Sequence, residues 1–156
     1  MSLTISIPSV PSDDSLTEGV IARRIVAWFC DAILIGLLLA ALWVLLLALG
    51  VVTLGLALPA LGLLPLVPFF YHTLFLLSGL SATPGQCLFG LIVRRNVDFG
   101  RPLPLQAAGS TLLFYATLAA GVVWLAVALV TVRRRTLHDL LSGLVVVRRQ
   151  AIAVRR

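Results

Sequence analysis

From Ala32 to Val93 the chain carries no Asp, Glu, Lys or Arg over 62 consecutive residues. A bilayer core takes about 20 apolar residues per helical crossing. The uncharged stretch therefore has the length for two crossings, from Ile25 to Leu49 and from Leu61 to Leu80, with Gly50, Gly55, Pro59, Gly62 and Pro65 punctuating the chain around their junction. Pro65 and Pro68 are expected in the first turns of the second helix, where proline does least harm. Composition points the same way. Hydrophobic residues make up 60% and charged residues 12% of the chain, against roughly 45–50% and 25% in soluble domains. A domain of about 150 residues still exposes about 30% of its unfolded surface, far too much for a sequence this apolar to present to water. A soluble enzyme and a disordered protein are both excluded. The expected architecture is an all-α integral membrane helical bundle with three hydrophobic segments, a short cytoplasmic interfacial helix and a small strand pair.

The flanking sequence sets the domain organisation. Residues 1–14, rich in Ser and Pro, are expected to form a disordered tail and lack the basic n-region of a signal peptide. Residues 15–149 form the membrane domain, and 150–156 a basic tail. Ser15 and Glu18 have capping-box spacing. A helix is expected to start there, run along the interface, and turn into the membrane after Arg23 and Arg24. Thr83, Pro84 and Gly85 read as a turn, residues 86–95 as a short helix running into a strand, and residues 98–102 as a further turn. Thr136 and Asp139 have the spacing of an N-cap and its acid, opening a short helix that ends at Gly143. The β-branched run Val145–Val147 follows. Residues 90–95 (GLIVRR) echo residues 143–149 (GLVVVRR). Both are strand-like and end in paired Arg, so they are expected to pair on one membrane face.

The third apolar run, Leu105–Val132, leaves two topologies open. All twelve basic residues are Arg, and by the positive-inside rule the N-terminus and residues 81–104 are cytoplasmic in the inner membrane. A single crossing by the third run would put seven C-terminal Arg outside. A fold-back hinged near Ala119, Ala120 and Gly121 keeps them inside, although 28 residues are short for two crossings. The fold-back is the favoured reading.

Charged residues at membrane depth are the candidate site. Asp31 stands two helical turns beyond Arg24, on the same face and about 10 Å deeper. An acid at the centre of a membrane helix costs about 2.5–3.5 kcal/mol, less near the interface, so it faces a partner or water. Its candidate partners are Arg24, Arg134, Arg135, His138 and His72. Two chemistries fit: proton or ion handling by Asp31, His138 and His72, or buried charges that only fix helix packing. Cys30 and Cys87 are expected to be free thiols. No CxxC, HExxH or phosphate loop is present in the sequence, so neither a metal nor a cofactor is expected, and no nucleophile–base constellation points to an enzyme. The Arg clusters read as topology determinants and contacts to anionic lipid. No aromatic-interleaved basic platform points to nucleic acid.

These blocks together resemble the RDD family of bacterial membrane proteins, named for one Arg and two Asp. Residues 22–36 (ARRIVAWFCDAILIG) are similar to its Arg-to-Asp signature, carried by Arg24 and Asp31. Residues 83–93 (TPGQCLFGLIV) and 98–103 (DFGRPL) resemble its central blocks, and residues 133–147 its closing His-Asp segment, in which Asp139 is the third signature residue. Gln86, Cys87, Ile92, Gly109 and Ser110 stand where the family pattern has basic residues. The resemblance implies a polytopic membrane protein, with cation/proton exchange suggested for some members. At this size an ion or small-solute transport component would oligomerise or join a membrane partner subunit. The alternative is a non-transporting scaffold or accessory subunit.

Overall fold

The computed structural model describes residues 19–120 and 136–149. Helix α1 (Val20–Val52) runs for 33 residues without a break, about 50 Å at 1.5 Å per residue. The expected turn after Arg24 is absent. Residues 20–35 contain no Gly or Pro, so nothing in the local sequence interrupts the hydrogen-bond ladder there. Ser15 and Glu18 lie outside the described residues.

One stripe of α1 meets the rest of the protein. Ala27, Asp31 and Ile35 are buried, spaced four residues apart on one helix face. Around them the surface is apolar and open: Phe29 is 57% exposed, Ile33 63% and Leu37 64%. A soluble core helix would bury such residues, and a bilayer is the solvent that suits them.

A turn through Gly55 leads into the 3-10 helix Leu58–Leu66, which continues directly into α2 (Val67–Leu77). Together they make a second 20-residue helical rod, and this and α1 are the two described helices long and apolar enough to cross a membrane. The rod starts and stops three residues earlier than expected. Pro59 and Pro68 occupy its permissive first positions, whereas Pro65 falls inside the 3-10 turn and not at the start of an α-helix. A proline deprives a helix of one amide donor, and the tighter 3-10 pattern accommodates that loss.

The short helix expected from Gln86 is present but starts two residues earlier, so Pro84 and Gly85 are helical and not a turn. Thr83 caps α3 (Pro84–Leu88): its Oγ1 accepts from the Gln86 amide, and the Gln86 side chain accepts from the Thr83 amide. Strand β1 (Leu91–Arg95) follows, then α4 (Pro104–Ala120), α5 (Leu137–Ser142) and β2 (Leu144–Arg148). Gly143 closes α5 at φ 69°, a left-handed conformation that glycine adopts without strain. The hinge at Ala119–Gly121 and the course of the third run beyond Ala120 fall largely outside the described residues, as do Arg134 and Arg135.

The two strands pair antiparallel, with Val93 opposite Val146, as the sequence echo predicts. Alternation sends Leu91, Val93, Leu144 and Val146 to one face, where they pack with Val20, Leu76 and Ala107 of three helices. Ile92, Val145 and Val147 pack on the other face with Ala82. The free edge of β1 is covered by its own connections, since Val93 donates to the Ser81 carbonyl and Arg95 to the Gly100 carbonyl. The sheet thus ties the ends of α1, α2 and α4 together beside Arg24.

Candidate functional site

The side chains of Arg24, Asp31, His72, His138 and Asp139 line one cavity of about 100 Å³, with Gln86, Ser110, Thr111 and Phe114 among the other walls. It lies where α1, α2, α4 and α5 meet, and it is large enough for several waters. Sequence spacing alone could not bring residues 24, 31, 72 and 138 to one place; the sheet and α3 do so.

Of the partners expected for Asp31, Arg24, His72 and His138 do not bond to its carboxylate, and Arg134 and Arg135 lie outside the described residues. Its Oδ1 accepts from the Tyr71 hydroxyl at 2.9 Å and from the Gly85 amide at 2.9 Å, and its Oδ2 from the Thr83 hydroxyl at 2.5 Å. All three donors are neutral. The side chain is buried, with 3% of the residue exposed, and among the described residues no cation lies within ion-pair distance. Gly85 permits this geometry. A Cβ there would run into the Ala27 carbonyl and stand 2.9 Å from the Asp31 carboxyl, so only glycine lets α3 lie this close to α1.

Arg24 shares a helix face with Asp31 but pairs elsewhere. Its Nη1 donates to Asp139 Oδ2 at 2.6 Å, and its Nη2 reaches Thr136 Oγ1 at 3.4 Å. The length of the arginine side chain carries the guanidinium away from the deeper carboxylate towards α5. Asp139 is doubly anchored, because it also accepts from the Thr136 amide and hydroxyl. Burial would raise its carboxyl, but the Arg24 guanidinium, His138 and the Thr136 hydroxyl outweigh that and hold it below the ordinary carboxylate value.

Both histidines contact the Phe114 ring, whose centroid is 5.7 Å from His72 and 5.2 Å from His138. His72 Nδ1 lies 3.0 Å from both the Pro68 carbonyl and the Tyr115 hydroxyl, joining α2 to α4. His138 is 7% exposed, and its Nε2 lies 3.0 Å from Thr136 Oγ1. Burial pushes its pKa down to about 4, against the pull of Asp139 and with the repulsion of Arg24.

Sequence reasoning missed Tyr71, Thr83 and Gly85 as the Asp31 cradle. A signal for one was present: Thr83 and Gln86 have capping-box spacing, which marks Thr83 as a helix cap with an ordered hydroxyl. Ser110 and Thr111, buried and each donating to the Ala107 carbonyl, carried no such signal. Cys30 and Cys87 are free thiols. Among the described residues no group of three His, Cys, Asp or Glu side chains could hold a metal ion.

Fold and site define a class: a small helical membrane protein with paired and hydrogen-bonded charges gathered at one end of its apolar helices. The sequence profile of the RDD family matches residues 19–143, and the chain belongs to that family. Neither a curated protein nor a solved structure matches it.

Proposed function

We propose that the protein is an ion-handling component of the inner membrane, in which Asp31 exchanges a proton or binds a small cation. The observation that carries this reading is the charge imbalance of the cavity. Arg24 and Asp139 neutralise each other at 2.6 Å, while among the described residues the Asp31 carboxylate has only neutral donors. A buried carboxylate without a counter-ion is costly in a low-dielectric setting, and a proton or monovalent cation relieves that cost. The chain would act as a multi-pass protein with its N-terminus and residues 81–104 in the cytoplasm. Pairing of β1 with β2 supports a chain whose residues 91–95 and 144–148 share a membrane face, and so a third run that returns to its starting side. Anionic lipid at the Arg-rich face and a second copy or partner subunit complete the proposal. No enzymatic activity is proposed.

A second reading has its own support. The Asp31 donors come from α2, the cap of α3 and the α3 backbone, so the carboxylate also locks α2 and α3 onto α1, as a scaffold or accessory subunit would require.

The test is flux through proteoliposomes containing the purified protein, measured with a pH-sensitive dye against Na⁺, K⁺ and Li⁺ gradients. The transport reading expects cation-dependent proton flux that Asp31→Asn abolishes while the variant remains folded. Absence of flux with the native chain, or full flux in a folded Asp31→Asn, rejects it. Loss of folding in Asp31→Asn alongside a flux-inactive native chain is the result the scaffold reading expects.

A further inference from the structure

We propose that His138 is a buried proton-binding site whose loading releases α5 from α1. Its tautomer follows from hydrogen-bond accounting. The Thr136 hydroxyl has one proton and gives it to Asp139 Oδ2 at 2.7 Å. Towards His138 Nε2, 3.0 Å away, Thr136 Oγ1 can therefore only accept. Nε2 carries the hydrogen, and in the neutral ring Nδ1 is a bare lone pair. That nitrogen is buried and has no hydrogen-bond partner among the described residues, although buried polar atoms are normally satisfied.

The groups facing the ring explain what a proton would do there. Asp139 Oδ1 lies 3.6 Å from Nε2, on the side of the ring nitrogen that is already protonated. From α1, Arg24 holds the same carboxylate. From α4, the Phe114 ring packs against the imidazole, and Asp31 and His72 share the cavity. A proton from water adds to the Nδ1 lone pair and no bond breaks. The product is an imidazolium whose new N–H has no acceptor among the described residues and whose charge is desolvated beside Arg24. Moving α5 off α1 relieves both, because it brings Nδ1–H to water and separates the two cations. The low proton affinity that burial gives His138 agrees with a closed state that resists loading. The opened state parts Arg24 from Asp139 and exposes the cavity at its Arg24 end. The inference stands whether or not Asp31 exchanges an ion.

The experiment uses the full chain, labelled with 15N-histidine and placed in lipid nanodiscs, with the His138→Gln spectrum assigning the two rings. At pH 8 the ring-nitrogen shifts of His138 are expected to show a protonated Nε2 and a bare Nδ1. Amide exchange of α5 and β2, corrected for the intrinsic rate, is then followed as the pH falls. Opening is expected to grow by up to about tenfold per pH unit between about 6.5 and about 4, the limit for one linked proton. Glutamine keeps an N–H donor towards Thr136 and cannot titrate, so His138→Gln is expected to flatten this rise. A protonated Nδ1 at pH 8, or an acid rise that survives in His138→Gln, overturns the proposal. If that variant fails to fold, His72→Gln assigns the rings instead, and the native chain decides: Nδ1 titration and amide opening must share one midpoint, and separate midpoints overturn the proposal equally.

Discussion

Arg24 and Asp139 are separated by 115 positions in the sequence and by 2.6 Å in the structure. This pair joins the first turns of α1 to α5 and leaves Asp31, on the same face of α1, to a wholly different set of partners.

Because Asp139 is fully enclosed and Arg24 only slightly exposed (side chains 6% and 17%), removing either partner strands a charge. Arg24→Gln and Asp139→Asn should each lower stability in detergent by about 3 kcal/mol, at the low end for a buried pair because Arg24 retains some water. In a thermal-unfolding double-mutant cycle the double variant should be less destabilised than the sum of the two. Strict additivity would show that the pair does not couple.

The Asp31 cradle makes graded predictions. Tyr71→Phe removes one neutral donor and should cost about 1 kcal/mol. Thr83→Val removes a donor to Asp31 and the α3 cap together, and should cost about 2 kcal/mol. Thr83→Ser keeps the hydroxyl and should stay near the native value. Chemical unfolding in mixed micelles gives the ranking, and equal effects of Thr83→Val and Thr83→Ser would contradict the cradle.

Gly85→Ala adds a methyl group where the Ala27 carbonyl and the Asp31 carboxyl already stand. Overpacking of this kind costs about 1–3 kcal/mol. The variant should also weaken the hold on Asp31, so Tyr71→Phe added to Gly85→Ala should cost less than it does alone.

Stability should depend on pH in a defined direction. Unfolded His138 titrates near 6.5 and the folded ring near 4, so between these values the unfolded chain binds a proton that the folded chain does not. Stability is therefore full above pH 6.5 and falls as the pH drops towards 4, by up to about 3 kcal/mol. Asp139, held below its ordinary value of 3.8, keeps its contribution above that value and loses it only at lower pH. Unfolding midpoints at pH 7.5, 6, 5 and 4 check the window, and His138→Gln should remove the step above pH 4.

Labelling of single cysteines tests the shared membrane face. In a background without Cys30 and Cys87, Val97→Cys and Arg149→Cys should react with an impermeant thiol reagent from the same side. Both native positions are exposed, and they flank the paired strands. Reaction from opposite sides would be incompatible with β1–β2 pairing in the membrane-embedded chain.

What the sequence determined by itself was whatever depends on neighbouring residues. A 62-residue span without charge dictates long apolar helices, because backbone groups in hydrocarbon must be satisfied within the segment. The echo of 90–95 in 143–149 announced the strands, and the spacing of Arg24 and Asp31 put them on one helix face. Tertiary structure decided the partners. Two residues sharing a face need not touch: the arginine side chain reaches outward to Asp139, while the carboxylate of Asp31 meets Tyr71, Thr83 and Gly85, residues 40 to 54 positions away. Such pairings depend on where α3 docks, and that depends on the missing Cβ of Gly85 and on the sheet that ties the helix ends together. No local pattern of charge or hydropathy encodes that distance, because it is set by packing between segments that are remote in the chain.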